Sequence, residues 1–190
     1  MSVRYHNFGG VIGWNLQKYF PMLSSDSYLK LQRSTRNKLQ KEYIDYFLST
    51  GEPPMPLVVN LETINRCNST CSFCTANKNA EKRPYKRMED SLFYSIIDQL
   101  AEWGYTGHLT LYGNNEPFLD TRIVEFHKYC REKLPHSFIF LSSNGLLLTV
   151  DKVKEIIPYV NQLIINNYCR DMKLHDNVRE IYEYAKSHPD

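Results

Sequence analysis

From residue 57 onward, short apolar runs alternate with amphipathic stretches. Residues 57–61, 108–112, 138–142 and 162–166 are runs of strand type, rich in Val, Ile, Leu, Phe and Tyr. Between the first two, Leu92, Phe93, Ile96, Ile97, Leu100 and Trp103 follow the helical period over residues 91–103, and Gly104 closes the helix. Ile123, Phe126, Cys130 and Leu134 make a second helical stripe, with Asp120 placed to cap it and Pro135 to stop it. A short helix over 151–157 has its end disturbed by Pro158, and Val178, Ile181, Tyr182 and Ala185 mark a last helix. Strand and helix thus alternate four times, which implies a parallel sheet with helices outside it, joined by right-handed crossovers. Residues 56–190 supply about 34 residues per unit, against about 31 in a closed eight-unit barrel. The expected fold class is therefore α/β, a partial, open TIM-like barrel of about four parallel βα units. Ligands in such folds bind at the C-terminal ends of the strands, so the chemistry is expected in the loops after Leu61, Tyr112, Ser142 and Asn166.

The first 52 residues differ. An aromatic, glycine-bearing start leads to a helix expected over 26–49, which Ser25 or Asp26 can cap; its apolar members are Leu29, Leu39, Tyr43, Tyr46 and Phe47. Lys30, Arg33, Arg36, Lys38 and Lys41 give it a basic side, and the Gly- and Pro-rich stretch 51–56 ends it. The expected organisation is a helical N-terminal extension, residues 1–52, before a core at 56–190. With 42% apolar and 23% charged residues the chain can build a core, which excludes the disordered, collagen-like and coiled-coil classes. A net charge of +2, without a recognisable binding motif, suggests no nucleic-acid partner. No run approaches the roughly 18 apolar residues of a membrane span, and the N-terminus does not read as a signal peptide. A cytoplasmic protein is expected.

Cysteine usage narrows the chemistry. There are five, an odd number that argues against a disulfide framework. Cys67, Cys71 and Cys74 lie in one short loop after the first strand, spaced C-x3-C-x2-C. Three thiolates so arranged can ligate three irons of a cubane cluster, leaving the fourth iron open to a chelating ligand. A closed zinc site wants a fourth ligand, and no Cys or His occurs between Cys74 and His108. A zinc site borrowing His108 or Cys169 is the alternative this spacing leaves standing. Cys130 shares a helical stripe and reads as a buried thiol, whereas Cys169 follows the fourth strand on the expected active face.

Other loops on that face carry polar groups. After the second strand, Gly113 lets the backbone approach a ligand, and Pro117 holds Glu116 extended. Exposed carbonyls and a carboxylate there suit an ammonium group; an ordinary turn is the plain alternative. Ser142-Ser143-Asn144-Gly145 follows the third strand, and its Asn-Gly read alone signals a hairpin. Asn166 ends the fourth strand, where an asparagine turn is equally reasonable. Residues 78–87 are basic, either a solvated loop or a surface that guides an anionic substrate or reductant.

The segment RCNSTCSFC resembles the signature of the radical S-adenosylmethionine (radical SAM) enzymes, C-x3-C-x-aromatic-C after the first strand of a partial barrel. The resemblance implies that Cys67, Cys71 and Cys74 hold a [4Fe–4S] cluster and that Phe73 lies against the adenine of S-adenosylmethionine. It implies that Gly113, Asn114, Asn115 and Glu116 hold the cofactor's amino group, although Asn-Asn departs from the family's second glycine. Ser142 and Asn144 would reach its ribose and carboxylate, and Asn166 its ribose. The implied reaction is reductive cleavage of S-adenosylmethionine to a 5′-deoxyadenosyl radical that abstracts hydrogen from a substrate, with flavodoxin or ferredoxin as electron donor. An N-terminal extension before the barrel is similar to the SPASM-type enzymes, which modify peptides, so a peptide substrate is expected. Four units where the family has six lead to the further expectation of a shortened relative, or of a fragment that binds the cluster without turnover.

Overall fold

In the computed structural model, residues 25–74, 84–168 and 173–188 are described. Two compact units divide between Met55 and Pro56. The first contributes one long helix, α1 (Ser25–Thr50). It closes on Gly51, whose φ of 74° is the left-handed conformation glycine adopts freely and whose N–H returns to the Phe47 carbonyl. The Tyr43 hydroxyl donates to the Pro54 and Met55 carbonyls and ties the Pro-rich stretch to the helix. Ile44, Tyr46, Phe47 and Leu48 are all exposed. The side chains of Leu29, Lys30, Arg33, Arg36 and Leu39 lie outside the described residues.

The second unit is the α/β core. Its described strands are β1 (Val58–Asn60), β2 (His108–Thr110), β3 (Phe138–Ser143) and β4 (Gln162–Ile165). They form one sheet in the order β1-β2-β3-β4, every pair parallel, with Leu109 opposite Val59 and Ile139, and Leu141 opposite Leu163. Four helices follow: α2 (Asp90–Glu102), α3 (Ile123–Lys133), α4 (Val150–Ile156) and α5 (Asp176–Ser187). Single turns of 3-10 helix sit at Pro117–Leu119 and Ile157–Tyr159, the second where Pro158 prevents α4 from continuing. The core lies between sheet and helices. Leu109, Leu111, Ile139 and Leu141 from the sheet meet Phe93, Ile97, Phe126, Cys130 and Ile156 from the helices, all fully buried. Phe93 and Phe126 stack at 3.8 Å between centroids and join α2 to α3.

Three local expectations differ from what is observed. Leu92 and Trp103 share the α2 period yet are 52% and 60% exposed, because the buried line runs through Phe93, Ile97 and Leu100. Asp120 does more than cap the chain entering α3: its Oδ1 accepts the Arg122 backbone N–H at 3.1 Å, and the buried carboxylate also takes Arg122 Nε at 2.9 Å and Nη2 at 2.7 Å. Asn144-Gly145 is not a hairpin, since β3 and β4 run parallel with α4 between them. Among the described residues no helix is long and apolar enough to cross a membrane.

Candidate active site

Parallel strands bring their C-terminal ends to one edge of the sheet, and there the loops after β1, β2, β3 and β4 surround one open cleft of about 620 Å³. Its walls include Cys67, Cys71, Phe73 and Cys74 from the first loop, Gly113, Asn114, Asn115 and Glu116 from the second, Ser142 and Asn144 from the third, and Asn166 after the fourth strand. Every residue that the resemblance assigns to the cluster or to S-adenosylmethionine is on that surface. Ser69, Tyr112, Ser143 and Tyr168 line it too and were not singled out. Ser143 adjoins Ser142 and Asn144, and Ser69 and Tyr168 lie within two residues of Cys67 and Asn166, so all three are within reach of the sequence.

The cysteine loop is fastened at its base. Asn65 N–H donates to the Lys86 carbonyl at 3.1 Å and Met88 N–H to the Thr63 carbonyl at 2.8 Å, so residues 63–65 pair antiparallel with the chain returning to α2. The Asn65 side chain adds bonds to Pro84 and Lys86. Arg122, only 10% exposed at its side chain, holds the same return segment by donating to the Met88 carbonyl and to Asp90. Cys74 N–H then closes a turn on the Cys71 carbonyl at 3.0 Å, which brings the last two cysteines together. All three thiols are half-buried and free. Burial raises the Cys67 thiol above its ordinary value, with donors from Ser69 and Asn144 offsetting part of the rise and the charges of Glu116 and Cys74 adding to it. Burial also raises Cys71, helped by the charges of Cys67 and Cys74. Of the basic stretch 78–87, residues 78–83 lie outside the described part, as does Cys169.

Glu116 is 2% exposed and is not the open carboxylate expected from sequence. Oε1 accepts from Ser143 Oγ at 2.7 Å and Phe118 N at 3.2 Å, and Oε2 from Asn144 N at 2.8 Å. Its own N–H donates to the Arg66 carbonyl at 2.9 Å. Glu116 therefore ties the loops after β1, β2 and β3 together, and burial pushes its carboxyl above the usual carboxylate range despite those three donors. What this segment leaves open to a ligand is exposed Gly113 and Asn114, with the Asn115 carboxamide beside them. The Asn114 N–H is held by Glu62 Oε1 at 3.0 Å. Asn115 Oδ1 accepts from Gly113 N at 2.8 Å, while its buried Nδ2 has no partner. Across the cleft, Asn166 Nδ2 donates to Ser142 Oγ at 2.7 Å, and Phe73 meets Tyr168 edge to face at 5.1 Å.

The three free thiols of one loop are a donor set of the kind that ligates an iron-sulfur cluster. Among the described residues no three His, Cys, Asp or Glu side chains converge on one metal position. Tetrahedral zinc needs its thiolates about 2.3 Å from one centre, whereas a cubane takes each thiolate on a different iron and so accepts a wider triangle. The charge of Cys74 adds to the rise of the Cys67 thiol, and those of Cys67 and Cys74 to the rise of Cys71, so these soft thiolates call for a cationic partner, and the orphaned Asn115 amide is a donor available to an anionic group.

An open parallel α/β barrel with a cysteine loop and a polar cleft at its strand ends defines the class. A model of the Radical SAM superfamily matches residues 61–184. The chain belongs to the radical SAM superfamily. It is 22% identical over 99 residues to the S-adenosyl-L-methionine-dependent 2-deoxy-scyllo-inosamine dehydrogenase of Niallia circulans, a match covering 52% of this chain and 39% of that one. The chain thus spans well under half of that relative. The crystal structure of BtrN in complex with AdoMet and 2-DOIA is similar in fold, with a TM-score of 0.61 and 19% identity, over 68% of this chain and 52% of that one. An open conformation of selenomethionine BtrN gives 0.55 and 19%, over 62% and 53%.

Proposed function

We propose that this chain binds a [4Fe–4S] cluster through Cys67, Cys71 and Cys74 and S-adenosylmethionine in the adjoining cleft, and that it starts radical chemistry on a further substrate. The observation carrying this reading is that the thiols, the Gly113–Glu116 segment, Ser142 and Asn166 line one cleft in a chain of this superfamily. When bound and reduced, the cluster supplies the electron that cleaves the sulfonium to methionine and a 5′-deoxyadenosyl radical.

The protein's part is binding and orientation. The half-buried cysteines would hold such a cluster with one thiolate each, and three ligands would leave a position for a chelating group. Exposed Gly113 and Asn114 present backbone without bulky side chains to an ammonium group, and Asn115 Nδ2 offers a donor to a carboxylate. Ser142 and Asn166, already bonded to each other, present hydroxyl and amide groups of the kind that recognise a ribose. Phe73, paired with Tyr168, gives an apolar wall suited to a purine. Flavodoxin or ferredoxin is the proposed electron donor, and the proposed division of labour keeps this chemistry in residues 56–190, with residues 1–52 as an extension.

Anaerobic reconstitution with iron and sulfide, followed by dithionite and S-adenosylmethionine, tests the proposal. Brown protein absorbing near about 400 nm and releasing 5′-deoxyadenosine is expected, with release abolished in Cys71→Ala. A brown protein that releases none leaves a cluster-binding fragment; a colourless one overturns the reading.

A further inference from the structure

Asn144 sits where the cysteine loop meets the third βα loop. Its backbone N–H donates to Glu116 Oε2 at 2.8 Å, and Oδ1 accepts from Leu146 N at 2.9 Å. A backbone N–H can only donate, so that second bond fixes which end of the carboxamide is oxygen. The amide Nδ2 therefore faces the cysteine loop. It reaches Asn68 Oδ1 at 2.7 Å and Ser69 Oγ at 3.1 Å, with Cys67 Sγ a long third acceptor at 3.9 Å. With two hydrogens, Nδ2 satisfies the two near oxygens first. Neither Asn68 nor Ser69 is a thiol, yet both lie within two residues of Cys67.

We infer that Asn144 is a positioning residue for the cysteine loop, acting through Asn68 and Ser69 rather than on the bound cofactor. The position it works from is rigid. Glu116 is buried and holds the Asn144 backbone, while Ser143 Oγ, bonded to the same carboxylate, accepts from Gly145 N at 3.0 Å. Gly145 in turn is wedged against Ile165 and Val178, with a φ of 78°. The Asn144 carboxamide is thus the end of a chain of contacts running from the core of the sheet to the segment that carries Cys67. On the other side of Cys67 the described loop is tied down at residues 63–66, through Pro84, Lys86, Met88 and Glu116. Without Asn144, residues 68 and 69 lose this cross-link on the cleft side. The inference uses the proposed function only for what the loop holds; the geometry of the loop stands without it.

Two variants of the full chain separate this role from turn formation. Asn144→Ala removes every side-chain bond. Asn68→Ala leaves the Asn144 bonds to Leu146 and Glu116 in place and removes its nearest acceptor across the cleft. Hydrogen exchange by mass spectrometry on the metal-free chain reads the result. A peptide spanning residues 66–71 should exchange about tenfold faster in Asn144→Ala and severalfold faster in Asn68→Ala, the effect of one to two lost hydrogen bonds, while α2 exchanges at the wild-type rate. In the iron-loaded chain, Asn68→Ala should surrender iron to a chelator severalfold faster than wild type. If Asn68→Ala exchanges like wild type over residues 66–71, or Asn144→Ala speeds up there no more than in α2, the inference is overturned. A wild-type chain that takes up no iron sinks the cluster reading instead, and the exchange result still decides the role of Asn144.

Discussion

Replacing Glu116 tests the strut that organises the cleft. In Glu116→Ala the Ser143 hydroxyl can rotate to another acceptor, but the Phe118 and Asn144 backbone N–H groups cannot follow, and both are left without the carboxylate they donate to. A buried donor left unpaired costs about 1–3 kcal/mol, so the two together cost about 2–6 kcal/mol. Removing a carboxylate whose burial already disfavours its charge returns part of that. The balance is near 3 kcal/mol, which lowers the melting temperature of a domain this size by about 10 °C. Glu116→Gln keeps one oxygen for two of the donors and sets an amide against the third, so about half the loss is expected. The pH dependence has a definite sign. The folded pKa of Glu116 lies above its unfolded value, so its protonation favours the fold; that contribution is complete below the unfolded value and disappears as pH rises through the folded one. Acid thus favours wild type but not Glu116→Gln, and the gap between their melting temperatures should widen as pH falls from 7 toward the ordinary carboxylate range. Thermal melts by circular dichroism at several pH values measure all three quantities. An alanine variant melting within about 2 °C of wild type, or a gap that narrows in acid, would refute the strut.

Three further changes probe the same framework. Gly145→Ala places a methyl 2.7 Å from Ile165 Cγ2 and 2.9 Å from Val178 Cγ2 at a positive φ, so overlap and left-handed strain together should cost about 2–4 kcal/mol in a denaturant melt. Gly113→Ala meets nothing nearer than Glu62 Cβ at 3.6 Å; stability should stay within about 0.5 kcal/mol, while calorimetry on the reconstituted protein should show roughly tenfold weaker S-adenosylmethionine binding where the ligand crosses that bare Cα. For Asp120, burial alone would raise the carboxyl, but Arg122 more than offsets it and the pKa is lowered. Asp120→Asn should therefore cost about 2–3 kcal/mol near neutrality, and the difference should shrink as pH falls below the usual aspartate value of about 3.9.

The parallel sheet was legible because its strands are short apolar runs separated by helical stripes, a pattern that needs no long-range information. The cysteine loop was legible because its spacing is local. What escaped depends on contacts between distant segments. Asp120 has the look of a helix cap, and only the fold reveals that Arg122 takes both its oxygens. Glu116 beside a proline looks exposed, and its burial follows from donors 27 and 28 residues away. Ser143 was passed over for Ser142. Along β3 alternate side chains turn inward, so Ser143 shares the buried face with Ile139 and Leu141 and reaches Glu116, while Ser142 faces Asn166. Tyr168 closes over Phe73 from a segment almost a hundred residues on, a pairing no spacing in the sequence encodes.

Electron paramagnetic resonance of the reduced, reconstituted chain, recorded with and without S-adenosylmethionine, tests the central claim most directly. Three cysteine ligands leave one iron open, so the spectrum of a reduced [4Fe–4S] cluster should shift when S-adenosylmethionine is added, in a sample holding about four irons per chain. A chain that assembles no cluster, or one whose signal is unchanged at saturating S-adenosylmethionine, would contradict it.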